Sequence, residues 1–282
     1  MLIETTGLGL RSRLRAARAE GKRIALVPTM GYLHEGHLSL VDHARRIGDV
    51  VVMSIFVNPL QFGPSEDLAR YPRDLARDAE LARPRGVDVI FAPPGEEMYE
   101  AGRPAVTVVA HEAAQRMEGK FRPGHFEGVL TVVAKLFNIV QPDVAVFGQK
   151  DFQQSVLIKR MCTDLNFPIR IDVAPTVREP DGLALSSRNV YLSTGERQSA
   201  LQISRALRAA KDRYAKGDRD PNGLLQAARS MLAQDAAVRV QYVELVDALT
   251  LETPAQVSDE SVIAVAAVVG ATRLIDNMII GH

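Results

Sequence analysis

Arg23-Ile24-Ala25-Leu26-Val27-Pro28-Thr29-Met30-Gly31-Tyr32-Leu33-His34-Glu35-Gly36-His37 begins as a strand and ends inside a helix. Residues 23–28 form an apolar run without the alternation of a half-exposed strand, which suits a strand covered on both faces. From Gly36 onward, Leu38, Leu40, Val41, Ala44 and Ile47 fall near helical spacing and predict a helix over 36–47. Two imidazoles therefore lie at a strand-to-helix turn. Free backbone N–H groups and the positive helix end attract phosphate at such a turn.

The pattern recurs along the chain. Apolar runs at 49–56, 87–92, 143–147 and 169–174 read as strands, with helical patterns at 72–83, 127–140 and 151–165 between them. Buried strands alternating with helices predict a parallel sheet joined by right-handed crossovers. Ligands of such sheets bind beyond the carboxyl ends of the strands. His34 and His37, the stretch 58–62 and the stretch 148–151 each follow a strand directly, so all are expected at that edge.

The character changes over 176–195, where Asp181-Gly182 marks a turn. Helical patterns follow at 194–216 and 221–234, then strand patterns at 238–246, 261–269 and 272–280. The expected fold class is α/β. Residues 1–175 would form a Rossmann-like parallel-sheet domain, and 176–282 a smaller C-terminal α+β lid domain, with a hinge near 175–179.

Composition narrows the function. At 282 residues, 46% apolar and 24% charged, the chain can bury a sizeable core. Its 34 basic residues balance 34 acidic ones, which removes the electrostatic case for a nucleic-acid scaffold or a membrane-surface protein. Cys162 is the only cysteine, so neither an intrachain disulfide nor a cysteine zinc cluster can form. The N-terminal stretch has arginines but no apolar signal core, and the longest apolar run, 262–271, is too short to span a membrane as a helix. A soluble cytoplasmic protein is the expectation.

Familiar phosphate-binding fingerprints are missing. Gly7-Leu8-Gly9 has Ser12 where a third glycine belongs, and Gly21-Lys22 and Gly119-Lys120 lack the upstream glycine of a GxxxxGK[ST] loop. A nucleotide would be held by the histidine turn instead. His34 and His37 could stabilise charge as an α-phosphorus becomes five-coordinate. A zinc pair is disfavoured, because no HExxH spacing occurs and no cysteine lies nearby. Lys150, at the end of Phe147-Gly148-Gln149-Lys150-Asp151, could neutralise phosphate oxygens, although a lone Lys-Asp is more often a solvated helix cap.

Arg178-Glu179-Pro180-Asp181-Gly182-Leu183-Ala184-Leu185-Ser186-Ser187-Arg188-Asn189 is either an interdomain loop or a loop that closes over phosphates. A histidine pair and Ser-Ser-Arg together can enclose a triphosphate during adenylyl transfer. Asn58 and Gln61 offer amides to a small polar ligand. Gln153 and Gln154 offer two more, one facing inward and one outward. The turn Phe121-Arg122-Pro123-Gly124-His125-Phe126-Glu127-Gly128 reads as structural or gate-like, and His43 and His111 as structural or surface residues.

Taken together, residues 28–37, 56–62, 121–126, 148–154 and 178–189 resemble the pantothenate synthetase (pantoate–β-alanine ligase) family in order and spacing, over essentially the whole chain. That family belongs to the nucleotidyltransferases with a HIGH-type turn and a KMSKS-like loop. The resemblance implies an enzyme using ATP and Mg²⁺: pantoate is adenylylated with loss of pyrophosphate, then β-alanine displaces AMP. By position it implies ATP contacts at Met30, Gly31, Tyr32, Leu33, His34, Glu35, Gly36 and His37. Further ATP contacts are implied at Gly148, Gln149, Lys150, Asp151, Val177, Leu185, Ser186, Ser187 and Arg188.

His37, His34, Lys150 and Arg188 would be catalytic, Gln61 and Gln154 would hold pantoate, and Gln61 would also meet β-alanine. Gln149 stands where many relatives carry Glu, and Tyr32 where a small residue is common. The implied partners are the two small substrates and a second copy in a homodimer, with no nucleic acid and no membrane; no protein ligand for Mg²⁺ is implied. Two alternatives stay open. One is a nucleotidyltransferase of the same superfamily acting on another small carboxylate or phosphate. The other is a nucleotide-sensing or tRNA-binding module without chemistry, against which the intact His34, His37, Lys150 and Arg188 weigh.

Overall fold

The computed structural model describes residues 1–64 and 66–281. The chain divides into two compact units. The first comprises Met1–Gln115, Arg122–Gly148 and Leu157–Pro175; the second comprises Arg116–Phe121, Gln149–Val156 and the chain from Thr176 onward. Among the described residues the strands are β1 (Leu2–Glu4), β2 (Ile24–Thr29), β3 (Val50–Ile55), β4 (Val89–Phe91), β5 (Val144–Gly148), β6 (Arg170–Ala174), β7 (Val238–Asp247), β8 (Ser261–Val269) and β9 (Thr272–Ile279). The α-helices are α1 (Gly7–Ala19), α2 (Glu35–Ile47), α3 (Leu75–Ala82), α4 (Gly95–Met98), α5 (Met117–Phe121), α6 (His125–Val140), α7 (Phe152–Asp164), α8 (Thr194–Ala215) and α9 (Pro221–Leu232).

The first unit is a parallel sheet in the order β1-β4-β3-β2-β5-β6. Alternate residues of its strands feed two cores. Leu26, Val52, Phe91 and Phe147 pack with Leu10 and Leu14 of α1 and Phe126, Leu130 and Phe137 of α6. Val27, Met53, Ile90 and Val146 pack on the other face with Leu38, Val41 and Ala44 of α2 and Ala79 and Ala82 of α3. Cover on both faces explains why these strands read as near-continuous apolar runs. The strand order reverses between β2 and β5. The switch point, where α/β sheets take their ligands, thus lies beyond Thr29 and Gly148.

The parallel sheet and its helices agree with expectation, while β1 and α1 were not anticipated. Gly7 and Gly9 make the start of α1 look like a turn, and the strand before it is only three residues long. The helix is set by Thr6, whose hydroxyl accepts the Gly9 N–H, and by the fully buried pair Leu10 and Leu14. Helix α3 starts later than its pattern because Asp74 caps it, accepting the Arg77 N–H at 3.0 Å. Cys162 is buried in the first core, which pushes its thiol pKa up to about 11 and leaves it a poor nucleophile. His43 pairs with Asp172 at 3.2 Å, and His111 is exposed.

The second unit is an antiparallel sheet in the order β7-β8-β9. Ile203, Leu207 and Ala210 of α8 and Leu224 and Ala228 of α9 pack with Val243, Leu245, Ile263, Val265 and Leu274 of the sheet. A capping box, Ser193 with Glu196, starts α8. Polar residues from the strands bind the two short segments that precede residue 176. Glu118 of α5 accepts both guanidinium arms of Arg273 at 2.6 Å and the Tyr242 hydroxyl at 2.9 Å. Gln153 accepts the Glu118 N–H and donates to the Arg116 carbonyl, both at 2.9 Å. Among the described residues no helix is long and apolar enough to cross a membrane.

Candidate active site

The histidine turn leaves β2 with an unusual backbone. Gly31 has φ +81° and Tyr32 φ +50°. For a tyrosine the left-handed region costs roughly 1–2 kcal/mol. Asp78 of α3 compensates: its two carboxylate oxygens separately accept the N–H of Tyr32 at 2.8 Å and of Leu33 at 2.7 Å. Burial pushes the Asp78 carboxyl above its usual range, against the pull of those N–H groups and of Arg77. The Arg77 guanidinium lies over the Tyr32 ring at 4.9 Å and donates to the Leu33 carbonyl at 3.1 Å. Glycine is required at 31, since a Cβ there would lie 2.8 Å from Asp78 Oδ2 and 2.9 Å from Ile55 Cγ2.

His34 is the N-cap of α2. Its Nδ1 accepts the Gly36 N–H at 3.1 Å, so the ring proton resides on Nε2, which is a donor. The His34 carbonyl accepts the His37 N–H at 2.8 Å, and the two imidazole centroids lie 4.1 Å apart. The pair is thus one compact cluster of imidazoles at a helix start. The Glu35 side chain is turned to the surface, paired with Arg85 at 2.7 Å.

Gln61 belongs to the same unit and reaches the same turn. It is buried, donates from Nε2 to the Met30 sulfur at 3.3 Å, and accepts from Asn58 Nδ2 at 3.1 Å. Asn58 is itself fixed by Tyr99, whose hydroxyl donates to Asn58 Oδ1 at 2.9 Å, and by the Gly128 carbonyl at 3.0 Å. Burial raises the Tyr99 phenol pKa, so it stays a donor. Arg122 donates to His125 Nε2 at 3.0 Å. Because guanidinium cannot accept, His125 carries its proton on Nδ1, which donates to the Gln61 carbonyl at 2.9 Å. Arg122 is held in turn by Glu66. The 121–128 stretch thus contributes support to Gln61, which its sequence indicated only as "structural or gate-like".

In the second unit Gln149, Lys150 and Asp151 form one 3₁₀ turn, with Lys150 Nζ 3.8 Å from Asp151 Oδ1. Gln153 is buried and Gln154 half-buried, the inward and outward pair expected. The Val177 carbonyl accepts the Leu185 N–H at 3.0 Å, and Arg178 pairs with Ala184 in an antiparallel bridge, so 177–185 is a small hairpin. Ser186 caps the next turn by accepting the Arg188 N–H at 3.3 Å. Ser187 is buried and Arg188 half-buried. Asn58, Tyr99, Gly128, Asp78 and the dipeptide Asp276-Asn277 hold these groups and were not singled out as supports. Only Asp78 left a local signal: helical spacing puts it on the buried face of α3 with Ala82.

A family model described as pantoate-beta-alanine ligase matches residues 3–279. A pantothenate synthetase of Moorella thermoacetica is 55% identical over 279 residues, covering 99% of this chain and 98% of its own. That of Thermoanaerobacter pseudethanolicus is 50% identical, covering 100% and 99%. The crystal structure of pantothenate synthetase from Thermus thermophilus superposes with a TM-score of 0.94 at 46% identity, covering 99% of each chain. A pantoate-beta-alanine ligase structure from Francisella tularensis, complexed with beta-gamma ATP and beta-alanine, gives a TM-score of 0.81 at 35% identity, covering 100% of this chain and 98% of its own. With its parallel sheet, its histidine turn and a match spanning nearly every residue, the chain belongs to the pantoate-beta-alanine ligase family.

Proposed function

We propose that this chain condenses pantoate with β-alanine at the expense of ATP, by way of pantoyl adenylate. The observation that carries the reading is that the His34–His37 ring pair and the Gln61–Met30 contact both sit on the turn after β2, in one unit of a chain matched by the family model over residues 3–279. A carboxylate oxygen of pantoate attacks the α-phosphorus, and the bond to the β-phosphate oxygen breaks, releasing pyrophosphate. The unprotonated amine of β-alanine then adds to the acyl carbon, AMP leaves with the bridging oxygen, and the nitrogen loses its proton.

His34 and His37 donate to the phosphates, with His37 the principal donor, while Lys150 and Arg188 offset charge on the leaving pyrophosphate. Gln61 and Gln154 grip pantoate through neutral amides, and Gln61 also meets β-alanine. Gly148 fits the same reading. A Cβ there would meet only Leu40 Cδ2, at 3.9 Å, so packing within the chain does not demand glycine, whereas close approach of adenosine does. Among the described residues no three His, Cys, Asp or Glu side chains form a metal cage. Mg²⁺ commonly binds through substrate phosphates and keeps its waters. It enters here with ATP, and no protein ligand is assigned to it. The reading extends to a cytoplasmic homodimer, whose mass light scattering measures directly.

The direct test supplies ATP, Mg²⁺ and pantoate labelled with ¹⁸O in its carboxylate. Pyrophosphate release with pantoate alone, then one ¹⁸O in AMP once β-alanine is added, is the expected result. Pyrophosphate without amide formation would support the plain nucleotidyltransferase reading. Absence of turnover in folded protein would overturn the ligase.

A second expectation concerns Gly128. A Cβ there would lie 2.4 Å from the Leu60 carbonyl carbon and oxygen and 2.6 Å from Gln61 N. Gly128→Ala must therefore push the Gln61 turn outward, at a cost of roughly 1–3 kcal/mol of stability. The KM for pantoate should rise more than that for ATP. A variant with the parent KM for pantoate would mean that this backbone contact does not set the Gln61 position.

A further inference from the structure

Asp276 and Asn277 are adjacent polar residues on β9, an edge strand, yet they are only 4% and 3% exposed. Burial of two such groups is costly unless both are fully hydrogen-bonded. The Asn277 amide is used on a single turn. Its Nδ2 donates to the carbonyls of Gln149 and Lys150, each at 2.9 Å, and its Oδ1 accepts from Gln149 Nε2 at 3.3 Å.

Asp276 serves a different segment. Its carboxylate takes both arms of Arg178, at 2.5 and 2.9 Å, and the Asn277 N–H at 2.8 Å. Arg178 also donates to the carbonyls of Asn277 and Gly182, each at 3.2 Å. That arginine lies at the base of the hairpin whose far strand runs into Leu185 and Ser186. Adjacent strand residues point to opposite faces, so one dipeptide can grip two separate segments. Burial pushes the Asp276 carboxyl up while Arg178 and, more weakly, Lys150 pull it down, so Lys150 lies within its field.

We infer that Asp276-Asn277 is a positioning dyad for the adenylation half-reaction: Asn277 fixes the backbone that carries Lys150, and Asp276, through Arg178, fixes the root of the Leu185–Arg188 loop. This rests on the ATP role assigned above to Lys150 and Arg188. Lysine is a point charge on a flexible stem, so its placement depends on a fixed backbone. Neither residue of the dyad is required to touch a substrate. Aminolysis of a preformed adenylate involves no β- or γ-phosphate, so it should depend on the dyad far less than adenylation does.

The experiment compares two half-reactions in the parent chain, Asn277→Ala and Asn277→Ser, the last keeping one O–H donor. Pyrophosphate release from ATP and pantoate reports adenylation, and pantothenate formation from supplied pantoyl adenylate and β-alanine reports aminolysis. The expected result is a kcat for adenylation lower by about 10–100-fold in the alanine variant, since misplacement by an ångström can cost that much. The serine variant should fall between alanine and parent. Aminolysis per folded molecule and KM for pantoate should stay near the parent.

An equal loss in both half-reactions, or parent rates in both, overturns the inference. If the alanine variant does not fold, the ratio of half-reactions in the serine variant decides, and a ratio equal to the parent's overturns it. A parent chain that releases no pyrophosphate refutes the ligase reading instead, so the two failures are distinguishable.

Discussion

Replacing His37 with alanine is expected to slow pyrophosphate release from ATP and pantoate by roughly 10²–10³-fold while the protein stays folded. The separation of rate from stability follows from where His37 sits. Helix α2 is held to the sheet by Leu38, Val41 and Ala44, each at most 2% exposed, whereas His37 is half-buried. Alanine is also the best helix former, so the backbone at this position tolerates the change.

His34 provides the control. As the N-cap of α2 it accepts the Gly36 N–H. His34→Ala should therefore lose about 0.5–2 kcal/mol of stability as well as rate. Thermal melts and single-turnover pyrophosphate release on both variants check this contrast. A folded His37→Ala protein working at the parent rate would remove that imidazole from the chemistry.

The contrast between these histidines also marks what sequence can and cannot say. The turn that carries His34 and His37 was legible because it depends on local order: an apolar strand, a turn and a helix of 3.6 periodicity, all within one short stretch. The parallel sheet was legible for the same reason, since strands such as Val50–Ile55 are buried on both faces and show it as near-continuous apolar runs. What failed to show is support across long separations. Tyr99 reaches Asn58 across 41 positions, and Asn277 reaches Gln149 across 128.

Nothing in the neighbourhood of Asn277 says which carbonyls its amide will meet, because a strand's alternation gives a face and not a partner. Gly128 reads as one more helical residue, and only the packing of Leu60 against α6 makes its missing side chain matter. Helix α1 was hidden by two glycines at its start, with tertiary packing of Leu10 and Leu14 overriding their low propensity.

Asp78→Asn is expected to lower the adenylation rate by about 10–100-fold with a small change in stability at neutral pH. The two carboxylate oxygens hold the N–H groups of Tyr32 and Leu33 separately, and an amide has only one oxygen. Its NH₂ must face one of those donors, so the turn carrying His34 shifts. Stability is buffered because the substitution also removes a buried charge. Asp78→Ala lacks even one acceptor and should lose roughly 1–3 kcal/mol, the cost of leaving buried N–H groups unpaired.

The pH dependence supplies an independent check. Burial raises the native carboxyl of Asp78 above its unfolded value of 3.8, so the native form takes up this proton first as pH falls. In the window between those two values this group alone makes the fold more stable on acidification. Glu66 acts in the opposite sense. Burial raises its carboxyl, but the hydrogen bonds and charge of Arg122 together bring it below 4.5, so its contribution is lost as pH falls. Comparing the parent with Asp78→Asn cancels Glu66. The parent's stability should then gain on the variant's as pH drops toward 4. A constant difference, together with a parent-like rate, would mean that Asp78 neither carries a buried charge nor sets the turn.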